Sequence, residues 1–252
     1  IEAPQSKEQV AVFPSKILVA QPHGFCAGID RSLEASRRLM KMFPGQRGYY
    51  VGEPAHNERL VDDFRERGVI FVDDVNQVPD GSIVGLGPHG STPEDLVIAK
   101  NKGLFGINTE CPLVTKVHRE TDQYLKEQRT ILYFAKDGHP ETRGILGHDS
   151  TGKNIIVFND MNDLQKKLEG RKIDPEKLAF ISQTTHAAQV AIKIQDELRK
   201  MFPNIKVPNH SDICYATQNR QDALKAIVEA GAEGVVVLGS QHSSNTKELA
   251  KL

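Results

Sequence analysis

Cys26, Cys111 and Cys214 are the only cysteines in the 252-residue chain. Each stands where an apolar run hands over to a helical pattern, in HGFCAGIDRSLEASRRL, TECPLVTKVHRETDQYL and DICYATQNRQDALKAIV. At the first turn of a helix, unpaired N–H groups and the positive end of the macrodipole stabilise a thiolate, the form that ligates metals and attacks electrophiles. One such position in each third of the chain points to a shared central site. Three thiolates there could hold an iron–sulfur cluster with one iron left open. Taken singly, each cysteine reads more simply as a small buried hydrophobe.

Further polar clusters fall at expected strand ends: EPAHN with His56, GPHGS with His89, DGHPE with His139 and Glu141, SQTT with Thr184, and GSQHSSN with Ser243, Ser244 and Asn245. Ligands of open α/β sheets bind outside the carboxyl ends of strands. Three histidines with hydroxyl and amide groups suit an anion held by hydrogen bonds and partial charge. Glu141 is placed to move protons. The plainer readings are loop histidines in solvent and an SSN helix cap.

Two other motifs compete. Gly85-Leu-Gly-Pro-His-Gly90 fits the dinucleotide fingerprint, with Glu110 about twenty residues further on. Against it, Pro88 stiffens the turn that must wrap a pyrophosphate, and Pro93 interrupts the helix start. His139-Pro-Glu141 is like the zinc deaminases, but their P-C-x-x-C is absent.

The elements that must position these residues alternate. KILVA (16–20), GYYVGE, VIFVD, SIVGLG, LFGIN, TILYFA, NIIVF, KLAFIS and GVVVLGS (234–240) read as strands. Between them lie helical patterns: Ile29–Phe43, HNERLVDDFRERG, PEDLVIAKNKG, DLQKKLEG, AQVAIKIQDELRKMF, Tyr215–Ala230 and the start of one in SSNTKELAKL. Near-continuous apolar strands between helices argue for parallel sheets covered on both faces. Residues 1–15 read as a tail.

Composition narrows the function classes. A formal charge of −1 and a pI near 6.8 argue against a broad nucleic-acid surface, so phosphate recognition must be local. No apolar run approaches the ~20 residues of a membrane helix. The first residues lack a secretory signal, and three scattered cysteines make a poor disulfide framework. A reducing, cytoplasmic setting is expected, and the initial Ile implies that residues precede it.

The segments GFCAGIDR, His56-Asn57, VPDG, His89-Gly90, CPLVTKVH, GHPE, QTT, DICYATQNRQ and SSN occur here in order. Together they resemble the 4-hydroxy-3-methylbut-2-enyl diphosphate reductase family from about Ile17 to Leu252. The resemblance implies an α/β trefoil of three pseudo-equivalent modules with mostly parallel sheets around a central cluster. The modules would be 29–110, 111–210, and 16–28 with 211–252.

It also implies a 4Fe–4S cluster on Cys26, Cys111 and Cys214, with the fourth iron open to the substrate hydroxyl. His56, His89, His139, Ser243, Ser244 and Asn245 would surround the diphosphate. Glu141 would relay a proton, and Thr184 would position it and the substrate. The products would be isopentenyl and dimethylallyl diphosphate, from the last step of the non-mevalonate isoprenoid pathway. The partners would be the allylic diphosphate and an electron donor such as a ferredoxin or flavodoxin.

The chain departs from the family at His23 (usually Arg), at Gly87-Pro88 (usually Ser-Ala) and at Thr109-Glu110 (usually Asp-Ala). His23 and Glu110 alter the charge beside the cluster. The family continues past Leu252 through a Gly-Ala-Ser segment, so the third module is expected to be incomplete and the activity of this shorter chain open. The alternatives are a dinucleotide-binding protein using Gly85–Gly90 and a remnant that keeps the fold without the cluster.

Overall fold

The structure, a computed structural model, describes residues 16–252; the expected tail, 1–15, lies outside them. Two parallel sheets carry the architecture. The first holds β1 (Gly48–Val51), β2 (Ile70–Val72), β3 (Ile83–Leu86) and β4 (Phe105–Asn108) in the order β2-β1-β3-β4. The second holds β5 (Thr130–Phe134), β6 (Ile155–Phe158) and β7 (Leu178–Ser182) in the order β6-β5-β7. Every pairing is parallel.

Nine α-helices occur among the described residues: α1 (Ala27–Met42), α2 (Glu58–Glu66), α3 (Pro93–Asn101), α4 (Pro112–Lys126), α5 (Pro140–Leu146), α6 (Met161–Leu168), α7 (Ala188–Met201), α8 (Tyr215–Glu229) and α9 (Ser244–Ala250). The α/β class with parallel sheets is as expected.

Successive side chains of a strand point to opposite faces, and the second sheet uses both. Leu132, Phe134, Ile156, Phe158, Leu178 and Phe180 pack with Leu164 of α6 and Ile194 and Leu198 of α7. Their neighbours Ile131, Tyr133, Ile155, Val157 and Ile181 pack with Val117 and Tyr124 of α4 and Ile145 of α5. In the first sheet Val51, Val84 and Leu86 form one layer. Tyr50 faces the other way, against Leu33 of α1 and Phe64 of α2. Burial on both faces makes the second sheet and the central strand β3 of the first rigid supports for the loops at their carboxyl ends, while β4 lies at an exposed edge.

Two expected strands are corrected. Residues 16–20 and 234–240 pair with no strand among the described residues. Val236 and Leu238 are 83% and 89% exposed, and Ile17 is 78% exposed. β-Propensity marks a side chain that suits a half-buried pleated surface; without a neighbouring strand, the backbone has no ladder to join. The region expected as a third module, 16–28 with 211–252, therefore contributes helices and extended segments but no sheet.

Candidate active site

The carboxyl ends of five strands and the starts of five helices supply the chemistry. Cys26, Cys111 and Cys214 are the N-caps of α1, α4 and α8. All three are free and partly buried. Cys26 and Cys111 meet over Gly28, where a Cβ would lie 3.7 Å from one sulfur and 3.2 Å from the other. Gly28 is thus the gap that lets two sulfurs share a space. Cys214 is near enough that its charge, with that of Cys26, acts on Cys111.

The expectation of a readily ionised thiol is overturned at Cys111. Burial pushes its pKa up first, and the facing N–H groups of Leu113 and Val114 pull the other way without prevailing. Mutual repulsion of three thiolates adds to the rise. Such a trio is held as thiolates by a metal, not by helix dipoles alone. Among the described residues no three His, Cys, Asp or Glu groups converge as a single ion requires. Three free thiols are the donor type that iron–sulfur clusters take.

Backbone hydrogen bonds tie these cysteines to the polar residues. The Cys111 N–H donates to Pro88 O at 3.1 Å, next to His89. The Cys214 N–H donates to Thr184 O at 2.8 Å. Arg220 of α8 donates twice to Gly24 O, at 2.7 and 3.2 Å, joining the loop before Cys26 to the helix that Cys214 begins.

His56, His89 and His139 form one cluster. The His56 and His89 rings stack with centroids 4.5 Å apart, and His139 stands edge-on to both at 5.8 and 6.0 Å. His139 caps α5: its Nδ1 accepts from the Glu141 N–H at 3.2 Å. The ring proton therefore sits on Nε2, which is buried and has no partner among the described residues. The Nε2 of His56 is also buried and unpartnered among the described residues, while its Nδ1 lies 3.4 Å from Glu53 Oε2. Desolvation, then the charges of His56 and His139, lowers His89 to about 3. Desolvation, then His56 and Lys136, lowers His139 to about 4. At neutral pH these two rings are uncharged hydrogen-bonding groups, suited to an anion that supplies its own charge.

Glu141 lies in the first turn of α5 with 1% exposure. Its carboxylate accepts the Thr184 N–H at 2.8 Å and the Thr184 hydroxyl at 2.9 Å. Burial raises its pKa to about 7; the two Thr184 bonds oppose the rise and the charge of Asp212 adds to it. A carboxylic acid that titrates near neutrality is matched to general acid catalysis.

Ser243, Ser244 and Asn245 open α9. Ser243 Oγ accepts from Thr246 N at 3.3 Å, the capping role foreseen as the plainer reading. Ser244 is buried, with its Oγ 3.4 Å from Lys136 Nζ. Asn245 Oδ1 accepts from Thr217 Oγ1 at 2.7 Å.

Other contributors went unnoticed in the sequence. Lys116 donates to Asp212 at 2.6 Å, and Asp212 accepts the Ser182 N–H at 2.9 Å, clamping the Cys111 helix to the turn before Cys214. His118 meets His148 at 3.0 Å, and His148 meets Asp122 at 2.6 Å. Lys116 and His118 both lie inside CPLVTKVH, so the signal was present but not separated from its neighbours.

The dinucleotide reading fails on geometry. A Cβ on Gly85 would lie 2.6 Å from the Tyr50 ring, and one on Gly90, whose φ is +97°, would lie 2.7 Å from His118 Nε2. These glycines make room for side chains. Pro93 does not interrupt α3 but begins it, and Thr92 and Asp95 cap it reciprocally. The Asp95 carboxylate thus already takes the place a phosphate would need.

A family model described as LytB protein matches residues 17–252. The 4-hydroxy-3-methylbut-2-enyl diphosphate reductase of Acinetobacter baumannii is 43% identical over 239 residues, which is 94% of this chain and 74% of that protein. The protein of the same name from Hahella chejuensis is 41% identical over the same shares of each chain. The solved E-1-hydroxy-2-methyl-but-2-enyl-4-diphosphate reductase of Plasmodium falciparum superposes with a TM-score of 0.83 at 32% identity, over 92% of this chain and 70% of that one.

Proposed function

We propose that this chain, which belongs to the LytB protein family, reduces 4-hydroxy-3-methylbut-2-enyl diphosphate to isopentenyl and dimethylallyl diphosphate. The overall change takes two electrons and two protons, breaks one carbon–oxygen bond and releases water. One observation carries the reading for the chain's own residues. The Cys214 N–H donates to Thr184 O, while Thr184 donates twice to Glu141. A sulfur ligand and a near-neutral carboxylic acid are thereby held one residue apart, as a reaction coupling electrons to protons requires.

Cys26, Cys111 and Cys214 would hold a 4Fe–4S cluster, which when bound supplies single electrons and a Lewis-acidic iron. The unpartnered Nε2–H of His139 favours donation to a diphosphate oxygen, and His56 would meet the diphosphate from the same cluster. His89, stacked on His56, fixes the ring orientation. Ser244 and Asn245 add polar contacts from α9, and Ser243 shapes the turn that presents them.

Glu141 gives a proton at its carboxyl oxygen. Thr184 returns the resulting carboxylate to a hydrogen-bonded state, so the charge is not stranded in a buried place. The buried walls around Glu141 exclude water from that oxygen. A small one-electron carrier such as a ferredoxin or flavodoxin would be the reductant, and a reducing cytoplasm suits three free cysteines.

The test is turnover under anaerobic conditions with a chemical reductant. Formation of both C5 diphosphates supports the proposal; loss of that activity in Glu141→Gln, with substrate binding kept, supports the assignment of the acid.

A further inference from the structure

Among the described residues, the histidine cluster and the start of α9, where the diphosphate is proposed to bind, bring no fixed positive charge of their own. His89 and His139 are neutral at pH 7, and Ser243, Ser244 and Asn245 carry no charge. A diphosphate entering such a pocket calls for a fixed cation, because a buried anion with neutral partners alone keeps much of its desolvation cost.

Lys136 meets that need. It follows β5, three residues before His139, and its backbone is held at both ends. Its N–H donates to Gln183 Oε1 at 3.0 Å, and its C=O accepts the Thr142 hydroxyl at 2.8 Å. Its Nζ lies 3.4 Å from Ser244 Oγ and 2.9 Å from Glu248 Oε1. Glu248 is nearly buried and is shared with Lys251 at 3.1 Å. The charge of Lys136 reaches the rings of His139 and His186. The groups facing it are thus Ser244, Glu248, His139 and His186, with Lys251 beyond Glu248. The Lys136 side chain remains 30% exposed, so it can move.

We propose that Lys136 is a further binding residue for the substrate's diphosphate, leaving Glu248 for a phosphate oxygen beside Ser244 when the substrate enters. The proposal rests on the reading of the histidine cluster as the diphosphate site. Glu248 is then a competitor for the ammonium group as well as its resting partner. This separates the proposal from a purely structural role, in which the pair merely pins α9 to the loop after β5.

Calorimetric titration of inorganic diphosphate into the anaerobically purified chain tests it. Lys136→Gln should weaken binding by about tenfold or more, as loss of a charge-assisted hydrogen bond does, and Lys136→Arg should restore most of it. Glu248→Gln should tighten binding, since the ammonium no longer has to abandon a carboxylate. If the pair is only a pin, Glu248→Gln weakens binding as Lys136→Gln does, and the proposal is overturned. Unchanged binding in Lys136→Gln overturns it as well. A wild-type chain that binds no diphosphate rejects the reading of the pocket itself, an outcome distinguishable from failure at Lys136.

Discussion

Thr184 gives both its backbone N–H and its hydroxyl to one carboxylate, that of Glu141, at 2.8 and 2.9 Å. Both bonds favour the ionised form, yet burial outweighs them and leaves Glu141 near pH 7. The balance makes the alkaline limb of the rate profile a direct reading of this pair. Activity that needs the protonated acid should fall as pH rises through about 7. Thr184→Val removes the hydroxyl bond, so the acid becomes weaker and the limb moves to higher pH. A limb that stays put, or moves down, removes Thr184 from control of this proton.

Glu141→Gln should reduce kcat by about 10²–10⁴-fold, the range for loss of a general acid, while leaving KM within a few fold. It also tests stability. The folded-state pKa is raised to about 7 from an ordinary 4.5. Below about pH 4.5 the acid is protonated in both folded and unfolded chains, and the full stability is present. Between these values the folded chain holds a proton that the unfolded chain releases, so stability declines as pH rises and the loss is complete above about 7. Glu141→Gln should therefore melt higher than wild type at pH 8, by roughly 1–3 kcal/mol, and gain nothing at pH 4.

Gly85→Ala should destabilise the chain by roughly 1–3 kcal/mol, because the added methyl meets the buried Tyr50 ring. Denaturant unfolding measures this. Nicotinamide cofactors should bind neither wild type nor the variant; saturable binding that Gly85→Ala abolishes would revive the dinucleotide reading.

Lys116→Met leaves the buried Asp212 without its cation and loosens the clamp between the Cys111 helix and the turn before Cys214. Loss of one partner of a buried pair typically costs about 3–5 kcal/mol. A lower melting temperature and faster loss of iron to a chelator are expected. Iron release at the wild-type rate would confine Lys116 to stability alone.

Most of the sheet scaffold could be read from the chain because it is locally encoded. The seven paired strands are apolar runs, and their helices have matching periodicity. The failures have a common cause in long-range partnership. KILVA and GVVVLGS have the composition of strands, but no neighbour pairs with them among the described residues. The raised pKa of Cys111 comes first from burial and then from the charges of Cys214 and Cys26, far away in sequence. Nothing in the sequence marks Lys136, because Ser244 and Glu248 come from the far end of the chain. Pro93 was misjudged because its role depends on Thr92, whose hydroxyl turns a proline obstacle into a helix start. Glycines in Gly85–Gly90 matched a phosphate loop, while their real constraint is the bulk of Tyr50 and His118.

The most direct measurement is iron and acid-labile sulfide per chain after anaerobic purification, taken on wild type and on Cys26→Ser, Cys111→Ser and Cys214→Ser, with reductive turnover assayed on the same samples. About four irons and four sulfides are expected in wild type, from the composition of the cluster, together with both C5 diphosphate products. Each serine variant should lose iron and turnover together. An iron-free wild type after reconstitution, or a serine variant with undiminished iron and turnover, would contradict a cluster shared by the three cysteines.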